Sequence, residues 1–274
     1  MMISLLSVVL LFLGGTSHGD LDLRILALTN QIIADPENVE LRVKRGDLYI
    51  QHEEFDNAKI DFVYCLRHGF HNTRVYSGLS EVYLHNGIID SALYYIDKVV
   101  EKEPNNLSAL EIKASAFIRA GNPCEAAPIY QLIIDKAQTQ SPQLFIQASA
   151  ASKNCDSNDK DEVAIEILKS GILVLPENKL LQNQLVSLLR HNRKFEEAIV
   201  IQSSIIESAG FKARHYMDRA DIYMELNATQ PAMADLESAL HHMELLPKHR
   251  RDVPAMLELK DEIQALLNEL KGKG

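Results

Sequence analysis

The sequence predicts an all-α fold, an array of antiparallel helix pairs, and three observations predict it. Alanines recur at Ala58, Ala92, Ala126, Ala164, Ala198 and Ala232, with gaps of 34, 34, 38, 34 and 34 residues. A fixed period of that length marks stacked supersecondary units rather than a single globular core. Glycine is scarce, 12 in 274 residues, which suits helices because Gly costs about 1 kcal/mol relative to Ala inside one. Hydrophobic residues make up 46% of the chain, enough to build a core and too many for a disordered segment.

The first segment, residues 1–19, differs from the rest. Leu5 to Leu13 is apolar except for Ser7, and small residues follow from Gly14 to Gly19. A membrane-spanning helix needs about 20 apolar residues, so this run is too short to span. It has the length of a signal-peptide core, with Ser17 and Gly19 at −3 and −1 of a cut between Gly19 and Asp20. The expectation is a periplasmic or secreted protein with no membrane span after removal of the signal. The other reading is an uncleaved apolar N-terminal helix.

Residues 20–36 then read as an amphipathic capping helix that ends at Asp35-Pro36. Six units follow at 39–72, 73–106, 107–140, 141–178, 179–212 and 213–246. Twelve residues before each repeating alanine stands a compact residue: Gly46, Ser80, Ala114, Val186 and Ala220, with Ala148 in the fourth unit if four residues are inserted between its helices. Three residues later comes a large one: Tyr49, Tyr83, Phe117, Leu189 and Tyr223, but only Ala151 in the fourth unit. Small residues on both helices of a pair let their axes approach to about 8–10 Å. Pro36, Pro104 and Pro176 close the preceding segments, since Pro cannot continue a helix. One pair cannot bury its own apolar face, and stacking makes the core continuous. Pro254 opens a last helix over 254–270, with Met256, Leu259, Ile263, Leu266 and Leu270 on one face. Two heptads are short for a coiled coil, so this helix reads as a cap on the sixth unit.

This spacing resembles the tetratricopeptide repeat family, over roughly Val39 to Leu240. The signature Trp is absent, replaced by Arg42, Tyr76, Leu110, Leu144, Gln182 and Tyr216. The resemblance implies a right-handed superhelical solenoid whose first helices line a concave groove, and a protein or peptide as partner. It places Asp47, Glu81, Ser115, Ser149, Ser187 and Asp221 on that groove, with Arg74, Arg119, Lys153, Arg190, His191 and Arg214. The expected binding strip is Arg119, Lys153, Arg190, His191 and Arg214 beside Ser115, Ser149 and Ser187, facing an acidic or C-terminal peptide. A solvated, unused face is the plainer reading. The Lys/Asn clamp by which some members hold chaperone tails is missing, because Val43, Asp47, Ser108 and Ile112 stand at its positions.

The net charge of −10 disfavours non-specific nucleic-acid binding. No phosphate loop, dinucleotide fingerprint, zinc-protease pair, serine elbow or CxxC occurs, so neither catalytic centre, cofactor nor metal is expected. His241 and His242 point about 100° apart on a helix and read as solvent-facing, with His249, rather than as metal ligands. Cys65 falls at a packing position and is expected as a buried thiol. Cys124 and Cys155 stand at corresponding turns of adjacent units, where the insertion Asp156 to Asp161 supplies slack for a disulfide; two free rim thiols are the alternative. The expected role is a non-catalytic adaptor or scaffold. A structural homo-oligomer and a helper subunit of an enzyme complex are the alternatives.

Overall fold

The computed structural model describes residues 16–137, 141–155 and 158–272. Most of the expected signal segment, two residues of the insertion and the last two residues lie outside the described residues. Among the described residues every regular element is a helix. They form two compact units, the first ending at Gly121 and the second beginning at Asn122. That boundary falls in the middle of the expected third repeat.

The first unit holds α1 (Thr16–Ala34), α2 (Val39–Gln51), α3 (Phe55–Arg67), α4 (Thr73–His85), α5 (Ile89–Lys102) and α6 (Leu107–Arg119). The second holds α7 (Pro123–Lys136), α8 (Pro142–Lys153), α9 (Lys160–Val174), α10 (Lys179–His191) and α11 (Phe195–Ser208). It continues through α12 (Ala213–Glu225), α13 (Thr229–Glu244), the short α14 (Lys248–Arg251) and α15 (Pro254–Gly272). Consecutive helices pack on one another within each unit, as the period demands. Helix α1 begins upstream of the expected cut at Gly19 and runs through it without a break.

Local chemistry sets the helix ends. Asn72, Asn106, Ser141 and Asn178 accept hydrogen bonds from the backbone N–H of Val75, Ala109, Leu144 and Leu181, satisfying one orphan donor at each N-terminus. The first helices of the pairs close on a left-handed residue. In four pairs the backbone N–H three residues beyond the first helix returns to the carbonyl of Tyr49, Tyr83, Leu189 or Tyr223. Gly87 and Gly121 meet that requirement freely, while Glu53, Arg193 and Asn227 hold positive φ at the same place.

The caps also reset the register of the fourth unit. Ser141 takes the place of Asn72, and the hydroxyl of Ser149 donates to the carbonyl of Ala164 as Ser80 donates to that of Ala92. Ser149, not Ala148, is therefore the compact contact residue. Phe145, fully buried, occupies the position of Tyr76. The added length divides between the turn before α8 and the turn after it. Sequence spacing had placed it all after α8, because an alanine looks like a better close-contact residue than a serine whose hydroxyl has a carbonyl to meet.

Phe62 lies between two glycines. A Cβ on Gly46 would stand 2.8 Å from its ring, and a Cβ on Gly78 would stand 2.4 Å from it. The contact partner of Gly46 is thus this ring as well as the repeating alanine. Two buried carboxylates recur with the same partners. Asp61 receives Nε and Nη2 of Arg45, each at 2.8 Å, and the free Nη1 reaches the Thr29 hydroxyl at 3.0 Å. Asp235 receives Arg219 at 2.8 and 2.7 Å, and Nη1 reaches the Ser203 hydroxyl at 2.7 Å. Fork geometry satisfies each buried charge. Since Thr29 of α1 does for α2 what Ser203 of α11 does for α12, α1 is docked as the second helix of a preceding pair rather than as a featureless cap. At the other end Leu259, Ile263, Leu267 and Leu270 of α15 join the cluster of Leu236, Ala239 and Met243 from α13.

Candidate functional site

A groove of about 660 Å³ lies in the second unit, lined by α10, the α10–α11 turn, α11 and α12. Ser187, Arg190 and His191 share one face of α10 because residues three and four apart lie on the same side of a helix. A smaller hollow of about 200 Å³ adjoins it, lined by Lys153 and Ala150 of α8 and again by Ser187 and His191. Five of the expected residues, Ser149, Lys153, Ser187, Arg190 and His191, therefore line these adjoining hollows.

Ser149 lines the smaller hollow but is nearly fully buried, and its hydroxyl donates to the Ala164 carbonyl of α9, so it also serves packing. The other expected residues behave differently. Arg119 and Ser115 belong to the first unit. The Arg119 guanidinium donates to the carbonyl of Leu84 at 2.6 Å, in the last turn of α4, where a cation meets the negative end of the helix. Arg214 contacts Asp218 at 3.3 Å and Glu262 at 3.6 Å.

Arg190 is not a free cation either. It forks onto Glu225 with bonds of 3.1 and 2.6 Å, and this bond is the main cause that raises the guanidinium pKa. Spacing alone could not show this pairing, because Glu225 lies a whole repeat away. By contrast Lys153 and Arg193 make no ion pair among the described residues, and nor does His191. Arg193 is missing from the expected strip. Its signal in the sequence is a cation at the turn position where Gly87 and Gly121 stand. Phe195 and the buried Gln202, whose amide donates to the His215 carbonyl at 3.2 Å, complete the wall.

The first unit has its own polar face. Arg74 pairs with Asp47, and both line a hollow of about 340 Å³ with Arg24, Lys44 and Gln51. Burial pushes the Glu81 carboxyl up, and the negative charge of Asp47 adds to the effect. Burial also raises Asp47, against the pull of Arg74. The acids expected in the first two repeats thus do share a neighbourhood.

Cys124 and Cys155 form a disulfide, with Cα atoms 4.8 Å apart, joining the start of α7 to the end of α8 two residues from Lys153. Cys65 is the free thiol, and burial, followed by the charge of Asp61, pushes it up to about 11.

No family model matches the chain, and no curated protein matches it. Solved structures do. A tetratricopeptide repeat protein from Parabacteroides merdae is 17% identical over 90% of this chain and 93% of its own, with a TM-score of 0.54. The chain has the tetratricopeptide-repeat fold. The C-terminal part of a repeat-containing protein from Cytophaga hutchinsonii reaches a TM-score of 0.60 at 14% identity, over 74% of this chain and 79% of that one. Pseudomonas aeruginosa PilF reaches 0.50 at 15% identity, over 83% and 96%. At such identities only the tetratricopeptide-repeat architecture carries over, and function is argued from the groove. Among the described residues no helix is long and apolar enough to cross a membrane.

Proposed function

We propose that this chain is an exported, non-catalytic binding module that holds an acidic peptide segment of a partner protein in the groove of its second unit. The observation that carries the reading is the convergence of Lys153, Ser187, Arg190 and His191 on one stretch, with Arg193 beside them. In a chain of net charge −10, two cations left without an internal ion pair on a concave surface favour a carboxylate-bearing ligand. A hydrogen bond to a charged group contributes about 1.5–3 kcal/mol. Two such contacts distinguish an acidic segment from a neutral one.

Export is supported by the apolar run at Leu5 to Leu13 and by the disulfide. Cys124 is exposed, and such a bond persists in an oxidising compartment. A second reading, self-association, has one observation in its favour. Leu23, Leu26 and Ile33 of α1 are 67%, 56% and 72% exposed on the helix that would otherwise pair with a preceding one.

The test is binding of a labelled acidic peptide to the full chain and to its Lys153→Glu/Arg193→Glu variant, followed by anisotropy. The double reversal is expected to weaken binding at least tenfold, and the wild-type affinity is expected to fall with added salt. Equal binding by the two proteins would remove the groove from consideration. Light scattering of the purified chain decides the second reading, which a monomer at high concentration rules out.

A further inference from the structure

The groove of the second unit is electrically two-sided. On its α8–α10 side stand Lys153, Arg193 and His191. On its α12 side Asp218 and Glu225 line the groove, and with Asp221 of the same helix and Glu262 of α15 they share the two guanidiniums of Arg190 and Arg214. Glu225 takes both bonds of the Arg190 fork, and Arg214 is divided between Asp218 and Glu262 at 3.3 and 3.6 Å. Asp221 makes no hydrogen bond or ion pair with either guanidinium and feels Arg190 and Arg214 only at a distance. His215 contacts Asp218 at 3.5 Å and adds a positive charge only when protonated. The α12 side therefore keeps an excess of negative charge. The Arg190–Glu225 pair, neutral as a unit, marks the divide, and both residues line the groove.

A wholly acidic ligand would be drawn to one side of this surface and repelled by the other. We infer that the groove selects a bipolar segment, one with carboxylates that meet Lys153 and Arg193 and cations a few residues away that meet Asp218 and, one turn on along α12, Asp221. This inference rests on the groove reading above and adds the order of charges along the partner. Like-charge juxtaposition rejects partners, and complementary charge sets register, so the two sides together fix which way round the segment lies. The rest of the lining includes Val186, Ser187 and Phe195, apolar or neutral, which suits an uncharged spacer between the two charged ends.

The experiment uses the full chain and two fluorescein-labelled nonapeptides of Ser and Ala. Both end in two Glu; one begins with two Lys and the other with two Ser. The lysine peptide is expected to bind at least tenfold more tightly. In the Asp218→Asn/Asp221→Asn variant, whose fold is checked by its far-UV spectrum and melting temperature, the gap is expected to close. Equal affinity of wild type for the two peptides overturns the charge-order inference while leaving the groove as the site. A gap that survives in the variant overturns the assignment to α12. If neither peptide binds, the groove reading itself fails.

Discussion

Replacing Gly78 by Ala tests the packing argument where two effects oppose each other. Gly78 sits inside α4, and Ala is favoured over Gly there by about 1 kcal/mol on propensity alone. Its new Cβ would stand 2.4 Å from two ring atoms of Phe62 and 3.0 Å from a third. Carbon atoms in contact normally sit about 3.5–4.0 Å apart, so the ring would have to retreat by roughly an ångström. It has little room to retreat, because Gly46 of α2 meets the opposite edge of the ring, where a Cβ would stand only 2.8 Å away. The ring is fully buried, with no solvent to move into. Overpacking of this kind costs about 1–3 kcal/mol. Set against the propensity gain, the net loss is about 0–2 kcal/mol, or a fall in melting temperature of up to roughly 8 °C for a chain of this size. Urea and thermal unfolding followed by far-UV ellipticity measure it. Phe62→Leu removes the clash but leaves a cavity. Combined with Gly78→Ala it is expected to cost at least about 1 kcal/mol less than the sum of the two single changes. A stabilised Gly78→Ala variant, or strict additivity in the cycle, would refute the claim that the ring is clamped between α2 and α4.

Other outcomes follow from the same physics. Cys124→Ser/Cys155→Ser releases a link between residues 31 apart, and the chain-entropy relation puts the loss at about 3–4 kcal/mol; thiol titration of the unreduced, denatured protein should find one free cysteine, and three would show that the bond is absent. Arg193→Gly relieves a left-handed residue, so it should raise stability by up to about 1 kcal/mol while weakening acidic-peptide binding; parallel melting and anisotropy measurements would expose a loss of stability as the contrary result. Glu81 is a carboxyl whose folded pKa lies above its unfolded one, so it binds protons more readily when folded and opposes folding once ionised. Glu81→Gln should accordingly raise the melting temperature at pH 7, and the gain should vanish as pH falls below the unfolded carboxyl range near about 4.3. A gain that is independent of pH would assign the effect to something other than charge.

Several features of the site could be read from residues alone. Ser187, Arg190 and His191 share a helical face because of their three- and four-residue spacing, and Lys153 falls at the end of the preceding first helix. Cys124 and Cys155 could be paired because the period brings equivalent turns of adjacent repeats together. Ser149 was assigned to the groove because one residue inserted ahead of α8 shifts its register. A shift of one residue turns a helical side chain by about 100°, from groove towards core. Arg190 looked available because its partner, Glu225, lies 35 residues away on another helix. A separation of 16 residues hid the hydroxyls of Thr29 and Ser203, which complete the two Arg–Asp forks and reveal how α1 is docked.

By itself the sequence determined the repeating helix pair, the prolines that close several units, the one pair of cysteines placed where a bridge could form, and the faces from which a site could be drawn. These depend on interactions within a repeat or between neighbours in a regular stack, where spacing along the chain is a fair measure of spacing in space. Only the tertiary structure decided which charges remain available. Ion pairing depends on the side chains of helices a full period apart, and a guanidinium that finds a carboxylate within about 3 Å no longer presents an open charge to a partner. The groove consequently owes its free positive side to Lys153 and Arg193, and its negative side to the carboxylates that outnumber Arg190 and Arg214.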